Sequence, residues 1–192
     1  SRNALLPLTR STRRMQRLIN QLMEFRKANT GNMKLTMEEG DIVVFIKNIF
    51  SDVRQVAQQK GINMLMTPWS SNYKMYFDHD KMETIVYNLL SNAVKYTPDN
   101  GTIEVKLALK DEELIFLIED NGPGIKPERE KDLFKPFMHG YVSKGGMGIG
   151  LYTAYEMAKL HKGDLSYQRS DNLGGSIFTL TLPTDKNQFE AE

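Results

Sequence analysis

An alternation of apolar and polar residues over positions 103–110, followed by a second strand-like run, constrains the fold of this chain more than any other pattern. Ile103, Val105 and Leu107 alternate with polar or small residues, and a second strand-like run, 114–119, follows a turn at 110–113. Period-two alternation indicates a strand with one buried face, and two strand-like runs joined by a short turn predict an antiparallel hairpin. The rest of the chain has to cover the apolar face of that hairpin.

Amphipathic helices supply the cover. Asp41 is a predicted N-cap for a helix that ends at Gly61, and the D-x-x-E pattern of Asp80–Glu83 predicts a capping box for the next helix. A further helix is predicted at 147–161, and strands are predicted at 33–37, 62–67, 73–77, 164–169 and 175–182. The fold class is therefore α+β: a two-layer sandwich in which helices cover one face of a mostly antiparallel mixed sheet.

A long helix precedes this sandwich. Residues 8–28 carry apolar side chains at three- and four-residue steps and need a partner helix, so we expect half of a helical hairpin or bundle. Residues 1–27 hold seven basic residues and one acidic residue, and the remainder holds eighteen and twenty-three. Nucleic acid or an anionic membrane surface would suit the basic residues, but no groove-reading motif accompanies them, so we favour a solvated helix face without nucleic-acid contact.

Composition excludes some classes of protein and of metal site. No apolar run approaches the roughly 20 residues that span a bilayer, and the absence of cysteine excludes disulfides and thiolate metal sites. The sequence begins at Ser1 without Met, so we expect a piece of a longer protein. We predict three parts: a partial helical domain at 1–30, the sandwich at 31–185 and a tail at 186–192.

The helix after Asp80 carries the most informative polar face. Asn88, Asn92 and Lys95 lie at i, i+4 and i+7, opposite an apolar stripe. An amide oxygen is a neutral, hard ligand that suits Mg²⁺ shared with substrate phosphates, and a lysine one turn further can neutralise phosphate. A plain polar surface stripe on an amphipathic helix is the alternative.

Two glycine-rich segments favour a nucleotide site over that alternative. Asp120 stands at a predicted strand end before Gly122 and Gly124, where a carboxylate can accept from an adenine amino group and the backbone can approach the ring. Residues 145–151 precede a predicted helix, so backbone N–H groups can approach phosphate there. Each segment alone is weak evidence, since a tight loop or a flexible hinge has the same composition.

Five motifs in order make the likeness specific. They are Asn88…Asn92-Ala93-Val94-Lys95-Tyr96-Thr97, Asp120-Asn121-Gly122-Pro123-Gly124-Ile125, Leu133-Phe134-Lys135-Pro136-Phe137, Gly146-Met147-Gly148-Ile149-Gly150-Leu151 and Gly174-Gly175-Ser176-Ile177-Phe178. Over about residues 33–183 the chain resembles the catalytic, ATP-binding domain of bacterial sensor histidine kinases, within the gyrase/Hsp90/histidine kinase/MutL ATPase group. Residues 8–28 more loosely resemble the second helix of the dimerisation and histidine-phosphotransfer hairpin.

The resemblance implies a role for each matching residue, with ATP and Mg²⁺ as ligands. Asn92 would coordinate Mg²⁺, Asn88 would support the phosphates or the metal's water shell, and Lys95 would reach phosphate. Adenine and ribose would contact Tyr96, Asp120, Gly122, Gly124 and Ile125. Residues 138–147 would form a lid over the phosphates, shaped by Gly146, Gly148 and Gly150, with Phe134 and Phe137 anchoring its near end and also packing in the core. Leu151 would belong to the same nucleotide site. Lys144 would contact the γ-phosphate, with a solvated lysine as the alternative.

The resemblance also implies partners. The phosphoryl acceptor would be a histidine on a helix of the same parent protein, and that motif is absent here. His79, His139 and His161 fit surface positions better, so we expect ATP binding without autophosphorylation. The parent would be a homodimer that passes phosphate to a response regulator receiver domain in signal transduction, with this domain in the cytoplasm beneath an inner-membrane sensor.

Other functions remain open at this point. ATP hydrolases of the same superfamily carry a catalytic Glu where this chain has Asn88, and an amide cannot accept a proton at neutral pH. A serine kinase of the anti-sigma type conflicts with the leading helix. A nucleotide-gated interaction module without catalysis is the alternative from a different class.

Overall fold

The predicted hairpin lies at the centre of the main sheet in a computed structural model, which describes residues 2–67, 72–137 and 148–185. The chain divides into two units, Ser1–Met33 and Lys34–Glu192. The helices of the described residues are α1 (Arg2–Thr30), α2 (Ile42–Gln59), α3 (His79–Tyr96), α4 (Pro127–Glu130) and α5 (Gly150–Leu160). The strands are β1 (Glu38–Asp41), β2 (Asn63–Met66), β3 (Lys74–Phe77), β4 (Thr102–Lys110), β5 (Glu113–Asp120), β6 (Asp164–Arg169) and β7 (Ser176–Pro183).

The main sheet has the strand order β2-β4-β5-β7-β6. Only β2 joins it in parallel, beside β4, and the other three pairings are antiparallel. A separate antiparallel pair is formed by β1 and β3. The α+β class with a mostly antiparallel mixed sheet is therefore confirmed.

The hairpin turn explains the register of β4 and β5. Lys110 pairs with Glu113 across a two-residue loop, and both loop residues, Asp111 and Glu112, have positive φ angles of 53° and 61°. Two consecutive left-handed residues form the turn whose twist matches that of paired strands. The alternating positions Ile103 and Val105 consequently lie on the buried face of the sheet.

Helices α2, α3 and α5 supply the opposite layer of this core. The apolar stripe predicted for α3 is buried at every position: Met82, Ile85, Val86, Leu89 and Ala93. On α2, Asp41 caps the first turn as predicted, since its Oδ1 accepts from Val43 N at 3.0 Å and Val44 N at 3.1 Å. Because the apolar stripe faces the core, the polar face of α3, with Asn88, Asn92 and Lys95, remains partly exposed.

The first unit is the helix α1, which is longer than the predicted 8–28. It leaves a stripe of large apolar side chains exposed: Met15, Leu18, Ile19, Leu22 and Met23. This stripe agrees with the expectation of a helix that needs a partner. Among the helices in the described parts of the chain, α1 included, none is long and apolar enough to cross a membrane.

Three local predictions were wrong. The strand expected at 33–37 lies instead at 38–41, because pairing with β3 selects the register from Glu38 opposite Phe77 to Asp41 opposite Lys74. The predicted capping box does not form, because Asp78 rather than Asp80 is the N-cap of α3. α5 begins at Gly150 rather than at 147, since Gly148 has a φ of 69° that ends any regular helix.

Asp78 owes its role to contacts distant in sequence. Its Oδ2 accepts from Thr36 N at 2.8 Å and from Lys81 Nζ at 3.1 Å, and its Oδ1 accepts from Lys81 N at 3.0 Å. Burial acts to raise the pKa of Asp78, but these donors outweigh it and hold that pKa below its ordinary value. The carboxylate thus joins the segment before β1 to the start of α3.

Candidate functional site

The polar face of α3 meets the start of α5. Asn88 Nδ2 donates to Gly150 O at 3.2 Å, and a Cβ on Gly150 would lie in ordinary van der Waals contact with the Asn88 amide, at 3.8 Å. Asn92 lies one turn further and is half-buried, and no hydrogen bond within the described residues engages its side chain. The structure therefore brings two predicted residues, Asn88 and Gly150, into contact and leaves the Asn92 amide available beside them.

Lys95 and Tyr96 form the last turn of the same helix. Burial lowers the pKa of Lys95, whose Nζ lies 5.3 Å from the centroid of the Tyr96 ring. Tyr96 is only 8% exposed, and burial raises its pKa. The ammonium group therefore sits in a partly desolvated position, where it interacts more strongly with an anion than it would in water.

Asp120 ends β5 as predicted and is 2% exposed. Its Oδ1 accepts from Gly122 N at 2.9 Å and from Ser176 N at 3.2 Å. Burial raises the pKa of Asp120 against the lowering effect of these two donors. Both bonds within the described residues end on one oxygen, so Oδ2 is the atom left to accept from a ligand.

The glycines around Asp120 let backbone segments approach closely. A Cβ on Gly122 would lie 2.9 Å from Tyr96 O, so this glycine allows the loop to pass against the end of α3. A Cβ on Gly175 would lie 2.5 Å from Asp120 Oδ1 and 2.6 Å from Gly122 N. Gly124 instead has a φ of 71°, which glycine adopts without strain. The close approaches hold the carboxylate between two loops.

Ser176 is the residue of this site that sequence reasoning missed. Its hydroxyl is fully buried and has no hydrogen-bond partner within the described residues, although its N–H holds Asp120. Buried hydroxyl groups are normally paired, so an unpaired hydroxyl on the residue whose N–H binds the Asp120 carboxylate indicates a place for a polar ligand or water. The Gly174-Gly175-Ser176 motif could have identified it, but this motif contributed only to the family resemblance, which gave Ser176 no role.

An aromatic cluster joins the loop after Asp120 to α5. Ile125 packs with Leu133 and Phe178, and its N–H donates to Tyr167 Oη at 3.0 Å. The partly buried side chains against this cluster include Phe134 and Leu151. These predicted site residues are therefore packing residues of the loop and helix in this structure.

Phe137 differs from Phe134. Phe134 stacks on Tyr155 with ring centroids 5.1 Å apart, as core packing requires, whereas Phe137 is 62% exposed, so core packing was wrong for Phe137. Its N–H donates to Gly148 O at 2.8 Å. The predicted residues Lys144 and Gly146, the rest of 138–147 and His139 lie outside the described residues.

The other two histidines do not share one environment. His79 stacks on Phe77 with centroids 4.2 Å apart. His161 is 2% exposed rather than a surface residue: its ring contacts Met157 O through Nδ1 at 2.8 Å and accepts from Asp78 N through Nε2 at 3.2 Å. Burial lowers the pKa of His161 and so favours its neutral form.

Comparison with known proteins adds independent information. The family model described as "Histidine kinase-, DNA gyrase B-, and HSP90-like ATPase" matches residues 77–186. Histidine kinase P4 of Formosa agariphila is 33% identical over 193 residues, which cover 97% of this chain and 14% of that protein. Sensor protein RstB of Escherichia coli is 28% identical over 180 residues, covering 92% and 40%. The chain thus spans less than half the length of these curated relatives.

Solved structures have the same fold. The mycobacterial sensor histidine kinase MprB superposes with a TM-score of 0.69 at 26% identity, covering 76% of this chain and 97% of that chain. Full-length ShkA in complex with AMPPNP superposes with a TM-score of 0.77 at 22% identity, covering 95% and 38%. The second likeness concerns the fold alone.

Proposed function

This chain belongs to the family of histidine kinase-, DNA gyrase B- and HSP90-like ATPases, and on that premise we propose that it binds ATP with Mg²⁺ between α3 and the loop after β5. The observation that carries the proposal is the pair formed by Asp120 and Ser176. A buried carboxylate with a free oxygen lies beside an orphan hydroxyl at the end of the sheet. This pair offers the acceptor that an adenine amino group requires.

Adenine is the base that this pair favours. The amino group of adenine donates at the edge where guanine presents a carbonyl acceptor. Asp120 Oδ2 would accept from that amino group, and the Ser176 hydroxyl would contact the same edge directly or through water. Gly122 and Gly124 would leave room for the ring, and Tyr96 would lie against the ring or the ribose.

The phosphates would extend towards the start of α5. Asn92 has the oxygen chemistry that suits Mg²⁺, and the described residues contain no cluster of acidic, histidine or cysteine ligands that would hold a metal alone. The metal would thus be shared between the amide and the phosphates, whose charge it would help to neutralise. Asn88 would support this arrangement while it holds Gly150, and Lys95 would reach phosphate.

We further propose that the longer protein transfers the γ-phosphoryl group to a histidine outside this chain. Phosphoryl transfer depends mainly on positioning and charge stabilisation, which Lys95 and the amides supply. The two histidines of the described residues are held by a ring stack and by two hydrogen bonds, so neither suits the role of acceptor. The chain alone is expected not to autophosphorylate.

The partners follow from the same proposal. The exposed stripe on α1 supports a homodimer in the parent protein, in which two such helices and their partner helices would bury it. A response regulator receiver domain would accept the phosphoryl group from the acceptor histidine. The names of the relatives, a histidine kinase and a sensor protein, support the proposal of a cytoplasmic position beneath an inner-membrane sensor.

Two alternatives are less well supported. Hydrolysis requires a base to activate water, and Asn88 is an amide whose nitrogen already donates to Gly150 O. A non-catalytic nucleotide-gated module would not require a lysine and two amides along one helix face. Neither alternative accounts for the full set of residues.

A titration of ATP with and without Mg²⁺ tests the proposal. We expect wild-type protein to bind ATP more tightly with Mg²⁺, and Asn92→Ala to lose that difference while it keeps magnesium-free binding. Asn48→Ala, at an exposed position on α2, is the matched control and should behave as wild type. Absence of ATP binding by the wild type would refute the proposed function. Stable phosphohistidine on the isolated chain would contradict the missing-acceptor part alone.

A further inference from the structure

Lys60, the residue after α2, reaches the end of the helix that carries the proposed phosphate-binding residues. Its Nζ donates to Val94 O at 2.7 Å and to Thr97 O at 2.9 Å. These two carbonyl groups bracket Lys95 and Tyr96 in the sequence. We propose that Lys60 is a positioning residue that fixes the last turn of α3 for phosphate binding, an inference that rests on the proposed function.

The physical reason lies in the end of a helix. The last carbonyl groups of an α-helix have no partner within the helix, and the helix dipole leaves partial negative charge there. The ammonium group of Lys60 satisfies one of those oxygens, Val94 O, together with the oxygen of the C-cap residue Thr97, and it offsets the charge. Thr97 N donates to a third carbonyl group of this helix end, Ala93 O, at 2.9 Å. Without Lys60, Val94 O and Thr97 O would lose this donor in a partly buried place.

The backbone around Lys60 adds a second anchor, on the loop that follows this turn. Lys60 O accepts from Asn100 N at 2.9 Å, and Asn63 N donates to Gly101 O at 2.9 Å. The end of α2 is thus joined to both sides of the loop that follows α3. Since α2 packs in the core through its apolar face, it provides a rigid support from which Lys60 acts.

The last turn of α3 also supports the adenine side of the site. Tyr96 O lies against Gly122, where a Cβ would come within 2.9 Å. The carboxylate of Asp120 has its own supports, however, because Gly122 N and Ser176 N both donate to it. Loss of Lys60 should therefore impair phosphate binding by Lys95 more than adenine binding by Asp120.

The test compares Lys60→Met with wild type for two ligands, ATP with Mg²⁺ and adenosine, by competition against a fluorescent nucleotide. We expect the Kd for ATP to rise roughly tenfold, the equivalent of one charged hydrogen bond, and the Kd for adenosine to change less than about twofold. Lys106→Met removes the same charge from an exposed site on β4 and should leave both values unchanged. Equal losses for both ligands, or no loss for ATP, would overturn the inference.

Amide hydrogen exchange in the nucleotide-free protein gives a readout that does not depend on ligand binding. Lys60→Met should accelerate exchange at 93–101 and leave 79–88 unchanged, and unchanged exchange at 93–101 would refute the anchoring role. Lys60→Gln keeps a neutral hydrogen-bond donor and replaces Lys60→Met as the test variant if that protein does not fold. Its affinity for ATP should lie between those of wild type and Lys60→Met. Wild-type affinity in Lys60→Gln would count against the inference. Failure of wild-type protein to bind ATP would instead refute the proposed function.

Discussion

Replacement of Asp120 by asparagine should separate nucleotide affinity from stability. The amide introduced by Asp120→Asn would keep an oxygen in place of Oδ1, so the bonds from Gly122 N at 2.9 Å and Ser176 N at 3.2 Å would persist. The second oxygen would become an NH₂ group. The loop would therefore hold its shape while the acceptor proposed for adenine becomes a donor.

The affinity loss can be estimated from these two changes. A hydrogen bond to a charged acceptor contributes about 1.5–3 kcal/mol, and a donor left facing a donor costs about 1–3 kcal/mol more. Since about 1.4 kcal/mol is a factor of ten, we expect the Kd for ATP to rise about 100-fold or more. The amide would match the carbonyl of guanine, so the preference for ATP over GTP should fall towards one.

Stability should move in the other direction. Burial raises the pKa of Asp120, so the folded protein holds this proton more tightly than the unfolded chain does. The resulting stabilisation is present below the ordinary value of 3.8 and is lost as the pH rises through the raised pKa. Near neutral pH the buried charge is therefore a cost, which Asp120→Asn removes. The free energy of unfolding without nucleotide should be unchanged or higher.

Calorimetric titration with ATP and GTP measures the first effect, and urea denaturation at about pH 7.5, well above the ordinary carboxyl pKa, measures the second. Asp52→Asn, at an exposed position on α2, makes the same chemical change and should alter neither quantity. The reasoning would fail if Asp120→Asn bound ATP within about threefold of wild type, less than 1 kcal/mol. It would also fail if the variant lost stability, because the carboxylate would then support the fold rather than the ligand.

Three further predictions test other parts of the structure. Because burial lowers the pKa of His161, its neutral form contributes stability that is lost as the pH falls below the ordinary value of 6.5. His161→Gln should therefore reduce the slope of the unfolding free energy against pH, measured by denaturant titration from about pH 7 to 5. The reduction should reach the equivalent of one proton, or about 1.4 kcal/mol per pH unit. Gly175→Ala should abolish ATP binding in the calorimetric titration, since the added Cβ would collide with the backbone. The Cβ added by Gly174→Ala would have no atom within 4 Å, so this variant should lose only about 1 kcal/mol of stability because of the positive φ at that position. Asp41→Ala should lower the thermal unfolding free energy by about 1 kcal/mol through loss of the α2 cap, and an unchanged midpoint would contradict that role.

Local patterns predicted the elements whose causes are local. The β4–β5 hairpin and the cap of α2 depend on neighbouring residues, and the sequence therefore identified both nearly to the residue. β1 has the unfavourable strand sequence Glu38–Asp41 and exists because β3 pairs with it. The choice of Asp78 over Asp80 as a cap likewise depends on Thr36 and His161, which are distant in sequence. Such tertiary contacts cannot be inferred from the spacing of residues along the sequence.

The candidate site divides in the same way. Asn88, Asn92 and Lys95 share a helix face because helical periodicity requires it. The pairing of Asp120 with Ser176 joins two strands that are 56 residues apart, and the orphan state of the hydroxyl depends on burial by the whole sheet. The exposed position of Phe137 was equally invisible, because a phenylalanine in sequence predicts burial. Site roles assigned from the motifs stay predictions until the titrations are made.

The bond between Phe137 N and Gly148 O has a consequence for protein engineering. It joins the two described residues that flank 138–147. The entropic cost of a loop between fixed ends grows slowly, by about 0.6 kcal/mol for each doubling of its length. Because Phe137 and Gly148 are already joined, a reporter peptide inserted between them should cost little closure entropy, which the free energy of unfolding of the inserted variant would measure.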